Sequence, residues 1–193
     1  MRVAVGLIGA LLLAASAMTA GAQPMRCADV SALDDVEAAG AVFVDGDPLL
    51  ALRDRGLDTV RLRLWHTPEG GRDGLDAMLA LAARADALGL DLLLDLHYSD
   101  TWADPGHQEP PLAWTGLDAA TLADSVRQYT RRVVEAFDRQ GTPPAVVQIG
   151  NEITGGMLWP TGRVGGAFDT PGQWRQLASL VRAGAEAVRE VLG

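Results

Sequence analysis

The sequence holds a single cysteine, Cys27, so no disulfide can form within the chain. Pro24-Met25-Arg26 before it do not form a lipoprotein cleavage site, and the thiol is expected to serve as a small buried hydrophobe. Basic side chains are the minority, 16 against 25 acidic ones, and they form no patch. Phosphate backbones are held by clustered Lys and Arg, so binding to nucleic acid is excluded. There is no Gly-x-Ser-x-Gly elbow, no phosphate loop and no dinucleotide fingerprint. A His-Glu-x-x-His pair and a cysteine cluster are missing too, which leaves little support for a metal centre. The one long hydrophobic run, Val3 to Ala17, is too short to span a bilayer comfortably.

That run follows Arg2 and precedes Ala20-Gly21-Ala22, the pattern of a cleaved secretory signal. Residues 1–22 are therefore read as a signal peptide and Gln23 as the first mature residue, with a retained anchor as the alternative. The mature protein is expected outside the cytoplasm, in the periplasm or medium, with no membrane attachment.

Residues 23–193 alternate strand and helix. Arg26–Ser31 reads as a weak first strand. Asp47-Pro48 opens a short helix that stops at Gly56. Asp58–Trp65 alternates, with Val60, Leu62 and Leu64 on one side and Arg61, Arg63 and Trp65 on the other. A polar, Gly-rich loop leads into a helix through Leu75, Met78, Leu79, Ala82 and Ala85 that ends at Gly89. Leu90–His97 is the third strand. Leu122, Val126, Tyr129, Val133 and Phe137 mark a fourth helix face. Val146 to Glu152 reads as a short buried strand that runs into Asn151-Glu152. Thr170-Pro171-Gly172-Gln173 has the form of a capping box at the start of the last helix.

Four successive βα units imply a parallel sheet, either open and doubly wound or part of a (β/α)8 barrel. The faces favour the barrel. Arg61 and Arg63 share one face of their strand, as Asp95 and His97 do of the next, and a sheet covered by helices on both faces has little room for them. The loops after strands are long and aromatic, as they are at the functional end of a barrel. Four units are half of such a fold, for which about 250 residues are typical. A fifth strand is due after Gly193, and the chain is expected to be the N-terminal part of a longer catalytic barrel.

Strand ends collect the polar residues: Arg61, Arg63, Trp65 and His66; Asp95, His97 and Asp100; Asn151 and Glu152. A carboxylic acid can protonate a leaving oxygen, and retaining glycosidases pair two carboxylates roughly 5–5.5 Å apart. An arginine near such a pair keeps the nucleophile ionised, and an asparagine can donate to a sugar hydroxyl. Trp65, Trp102, Trp114 and Trp159 offer flat faces to sugar C–H groups or, alternatively, pack in the core. The rival chemistry is a metal held by Asp95 and His97 with His66, His107 or Glu152.

Asp95-Leu96-His97-Tyr98-Ser99-Asp100-Thr101-Trp102-Ala103-Asp104-Pro105 resembles the third-strand signature of the arabinogalactan endo-β-1,4-galactanases, glycosyl hydrolase family 53. Gly150-Asn151-Glu152-Ile153 with Gly156–Gly162 is similar to its fourth-strand motif, and Thr59–Trp65 to its second strand. The first strand departs, with Arg26-Cys27-Ala28-Asp29 where the family has Gly before Val-Asp. The resemblance implies a (β/α)8 barrel and endo-hydrolysis of β-1,4-galactan or arabinogalactan with retention. It makes Glu152 the general acid/base, Asn151 its substrate-orienting neighbour and Arg61 the support of the nucleophile. Asp95, His97, Trp102 and Trp159 would bind substrate. The nucleophile it implies is a Glu after a seventh strand, beyond these units, which are expected to be inactive alone. No cofactor is implied here; calcium in some relatives belongs to later loops. A monomer is expected. Other retaining β-glycanases and a non-catalytic sugar-binding module remain as alternatives.

Overall fold

The computed structural model describes residues 24–193 apart from Asp45. Residues 1–22, read above as a signal peptide, lie outside the described residues. Four parallel strands form one sheet in chain order: β1 (Cys27–Asp29), β2 (Thr59–Leu64), β3 (Asp91–Leu96) and β4 (Val146–Ile149). Helices α1 (Leu33–Ala38) and α2 (Pro48–Asp54) connect β1 to β2. Helix α3 (Leu75–Asp86) follows β2, α4 (Ala119–Gln140) follows β3, and α5 (Pro171–Leu192) follows β4. A small antiparallel hairpin, β5 (Gly156–Met157) with β6 (Gly162–Arg163), interrupts the last crossover.

Alternation in β2 and β3 decides the layers. Val60, Leu62, Leu64, Leu94 and Leu96 are fully buried and join one apolar cluster with Met78 and Leu81 of α3 and Val126, Val133 and Phe137 of α4. The opposite face of the same strands carries Arg61, Arg63 and Asp95, which that cluster excludes. An open sheet with an apolar helix layer on each side does not fit such a face. Register then sets the charged rows: Asp29 is opposite Arg61, and Arg63, Asp95 and Gln148 lie side by side on three strands.

Local chemistry accounts for the helix ends. Asp47 accepts from the Leu49 amide with Pro48 at the first helical position, and Asp118 accepts from the Thr121 amide to start α4. Gly141 ends α4 at φ 87°, a left-handed cap that a Cβ would strain.

Four expectations need correction. Helix α1 was not anticipated; Leu33 is its one buried residue, too thin an apolar stripe to register as periodicity. Cys27 is exposed rather than buried, because β1 is an outer strand of the sheet. Strand β4 is the other outer strand; it is half-buried, with Val146 37% exposed, and it ends at Ile149, three residues before Glu152. The capping box at α5 is half formed. Thr170 Oγ1 accepts from the Gln173 amide, but the Thr170 N–H already donates to the Phe168 carbonyl. The Gln173 side chain instead donates to the carbonyls of Pro160 and Arg163, tying α5 to the hairpin.

Candidate active site

All four strands run the same way, so their C-terminal ends share one rim, where barrels of this kind place their functional groups. Arg61 is the hub of that rim. Its Nη1 meets Asp29 Oδ2 at 2.5 Å, and its Nη2 reaches Asp95 Oδ2 at 2.6 Å and Asn151 Oδ1 at 2.8 Å. One planar guanidinium thereby links β1, β2, β3 and the segment after β4, a task suited to a fork of fixed donors. Asp95 is fully buried, and with Arg61 beside it the pair is a desolvated ion pair rather than a surface contact. Asp29 is more open. Burial raises its carboxyl pKa, but hydrogen bonds from Ser31 and the Arg61 contact outweigh this and hold it below the usual aspartate value.

Asn151 is buried and pinned at three atoms. Its Oδ1 accepts from Arg61, its Nδ2 donates to the Ala103 carbonyl at 2.7 Å, and its own carbonyl accepts from Gln108 at 2.8 Å. Gly150 before it has φ 82°, and a Cβ there would lie 2.7 Å from the Ile153 side chain. Glu152 after it is exposed, with φ 50° and ψ 41°. A glutamate in the left-handed region is uncommon, and such strain concentrates at functional positions. Among the described residues no hydrogen bond or ion pair holds its carboxylate, whereas every carboxylate around Arg61 is paired.

Asp95 and His97 lie together, His97 Nε2 standing 2.8 Å from Asp95 Oδ2. Both are essentially inaccessible, 0% and 1% exposed, so they underlie the rim and present no surface to a ligand. The tryptophans divide. Trp102 is 44% exposed, its ring edge-on to His97 at 5.5 Å and covered on one side by the Arg63 guanidinium at 4.8 Å. Trp159 is half-buried with Arg163 over its ring at 4.2 Å, and its indole donates to the Gly155 carbonyl. Trp65 is half-buried and donates to His97. Trp114 is a core residue, 8% exposed, packed on His66, Tyr98 and Tyr129.

The alternative metal set is not assembled. His107 is paired with Asp104 on an exposed turn, and His66 packs between Trp114 and Tyr129, where burial lowers its pKa. Asp100 accepts from the Thr67 and Leu112 amides and braces two loops. Among the described residues no group of three or more His, Cys, Asp or Glu side chains converges as a metal site.

Several contributors escaped the sequence reading. Asp29 carried a usable signal, an acid at a strand's C-terminal end. Gln108 and Gln148 did not: the path of the loop after β3 brings Gln108 to the Asn151 carbonyl, and Gln148 reaches Asn151 Oδ1 from within β4. Asp73 is buried beside Arg63 with a left-handed φ of 54°. Two grooves meet at Arg63. One, about 560 Å³, runs past Asp29, Val30, Leu33, Phe43 and Trp102; the other, about 730 Å³, past Trp65, Asp73 and Asp100.

A one-sided parallel sheet with its arginines, carboxylates and tryptophans gathered on the C-terminal rim is the first half of a (β/α)8 barrel of the glycoside hydrolase type. The profile of glycosyl hydrolase family 53 matches residues 25–193, and the chain belongs to that family. It is 38% identical over 170 residues to a probable arabinogalactan endo-β-1,4-galactanase A of Neosartorya fischeri, covering 86% of this chain and 46% of that protein. It is 42% identical over 169 residues to an uncharacterized protein in the bgaB 5′ region of Niallia circulans, covering 84% and 46%. Among solved structures, the Ignisphaera aggregans GH53 catalytic domain superposes with TM-score 0.78 at 34% identity, over 87% of this chain and 48% of that one. A fungal β-1,4-galactanase superposes with TM-score 0.79 at 36% identity, over 87% and 50%. The chain spans about half the length of the curated relatives it matches.

Proposed function

We propose that these four βα units belong to an enzyme that hydrolyses internal β-1,4-galactosidic bonds of galactan or arabinogalactan with retention of configuration. The observation that carries the reading is Glu152: an unpaired, exposed carboxyl three residues beyond the fourth strand, on a strained backbone, next to an Asn151 tethered at three atoms. Galactanase names among relatives at 38% identity support the substrate class.

In this mechanism Glu152 gives its proton to the glycosidic oxygen while a second carboxylate attacks the anomeric carbon and the C–O bond breaks. Glu152, now ionised, takes a proton from water, whose oxygen displaces the enzyme carboxylate. The second carboxylate is assigned to a glutamate after a seventh strand, beyond the four strands of this sheet. Asn151 keeps one amide N–H for a substrate hydroxyl, and Arg61 holds the rim carboxylates in place. Trp102 and Trp159 supply sugar-stacking faces, each with one side already covered by an arginine.

The same reading places the enzyme outside the cytoplasm, since a polysaccharide cannot cross the membrane to reach it, and residues 1–22 have the pattern of an export signal. No helix among the described residues is long and apolar enough to cross a membrane.

The test is Glu152→Gln in the complete barrel. Turnover of β-1,4-galactan should fall roughly 1,000-fold, within the range of a lost general acid/base. An aryl galactoside with a good leaving group should retain its first step. Turnover close to the unaltered enzyme's would overturn the assignment. Preferential cleavage of mannan, xylan or cellulose would transfer the mechanism to another β-glycanase, and galactan binding indifferent to the substitution, without hydrolysis, would point to a binding module.

A further inference from the structure

The rim contains a closed circuit, one buried member of which, His97, has no part in the mechanism above. His97 has a fully buried side chain. Its Nδ1 accepts from two donors, the Trp65 indole N–H and the Ala103 backbone N–H, each at 3.2 Å. A nitrogen that accepts two hydrogen bonds carries no proton, so the ring is the neutral tautomer with its proton on Nε2. That nitrogen faces Asp95 Oδ2 at 2.8 Å. The approach is a close contact rather than an aligned bond, and Nε2 and Asp95 Oδ1 are buried polar atoms without a hydrogen-bond partner. Asp95 Oδ2 holds Arg61, Arg61 holds Asn151 Oδ1, and Asn151 Nδ2 returns to the Ala103 carbonyl. Ala103 is thus gripped at both its N–H and its C=O, and it follows Trp102, whose ring lies against His97.

We propose that His97 is a positioning residue with two separable arms: through Asp95 and Arg61 it orients the Asn151 amide beside the acid/base, and through Ala103 it fixes the Trp102 sugar platform. The inference rests on the galactanase reading and adds to it. A buried ring touches no substrate, so its effects must travel through these partners. The carboxylate arm acts where the bond breaks and belongs to kcat; the Ala103 arm acts where the sugar rests and belongs to KM.

Two substitutions cut the arms one at a time. His97→Gln places an amide donor near the position of Nε2 and removes the acceptor for Trp65 and Ala103. His97→Asn places an acceptor near the position of Nδ1 and removes the contact to Asp95. In the complete barrel on β-1,4-galactan, H97Q should raise KM roughly tenfold, one contact's worth, with kcat within a few-fold. H97N should lower kcat about 100-fold, the scale of a small misplacement of reacting groups, with KM little changed. Equal losses in both parameters for both variants, or no loss, overturn the proposal. A second measurement stands apart from the variants' folding. The ¹⁵N spectrum of the three histidine rings in unaltered protein should show His97 with unprotonated Nδ1 and protonated Nε2, assigned by the ring signal missing from H97N or, if that fails to fold, by contacts to the Trp65 indole N–H; a proton on Nδ1 overturns it. Glu152→Gln, assayed alongside, separates the two claims: if it stays active the acid/base reading fails, whereas parallel losses at His97 with an inactive E152Q sink only the positioning role.

Discussion

Arg61 and Arg63 stand two residues apart on the same face of β2, and each meets an aspartate outside its own strand. Around Arg61 the partners are carboxylates and an amide from three other strand ends, so the guanidinium works as a hub between strands. Around Arg63 there is one carboxylate, Asp73, at 3.1 Å from Nε, and two indole faces, Trp102 at 4.8 Å and Trp65 at 5.8 Å. The first arginine builds the floor under Asn151; the second builds a wall between two grooves. Their aspartates respond in opposite senses. Asp29 is held below the usual aspartate pKa, whereas burial of Asp73 outweighs the nearby Arg63 and pushes its carboxyl up. Charge type alone does not fix a residue's role here; the number of strands it bridges and the dryness of its partner do.

The strongest way to break this contrast is Arg61→Gln. It leaves Asp95, which has no solvent exposure, without its cation, and a buried charge stripped of its partner costs about 3–5 kcal/mol. The denaturant midpoint should fall accordingly, and Arg61→Lys should recover part of the stability but not the three-way geometry. A loss below about 1 kcal/mol, the range of exposed ion pairs, would show that the hub is no hub.

Asp73→Asn probes the wall and should do much less. The carboxylate is 1% exposed and already disfavoured by burial, and asparagine tolerates the left-handed φ of 54° better than most residues. Arg63 keeps its indole partners and some solvent. Stability should change by no more than about 1 kcal/mol in either direction. A drop as large as that of Arg61→Gln would erase the distinction between the two arginines.

The layers of the fold were legible because β2 alternates from Val60 to Leu64 and because Asp47-Pro48 is a local start signal that needs no tertiary partner. What failed depended on neighbours. Cys27 and Val146 look like core residues until their strands prove to be the outer ones. Gln173 has the right spacing for a capping box, but the Phe168 carbonyl had already taken the amide it would have bonded. In the site, Arg61, Asp95, Asn151 and Glu152 could be named from strand-end position. The division of labour among them could not: that Asp95 and His97 lie beneath the rim, and that Ala103 closes the circuit through its backbone, follows from register and loop path, which no spacing rule encodes.

The smallest effect sharpens the comparison most finely, through the acid limb of stability. Asp29 has a depressed pKa when folded, so its contribution is present above the usual aspartate value and disappears as pH falls through the lower folded value. Asp73 has a raised one, so its contribution is present below the usual value and disappears as pH rises through the higher folded value. The two windows lie on either side of about pH 3.9. Urea midpoints measured from about pH 2 to 6, a span that brackets that value, should therefore respond in opposite directions. Asp29→Asn removes a rise in stability with pH in the lower window and flattens the curve there. Asp73→Asn removes a fall in the upper window and makes the curve climb more steeply. If both substitutions flatten the same stretch, the two aspartates share one environment, and the floor and the wall around β2 are a single electrostatic unit.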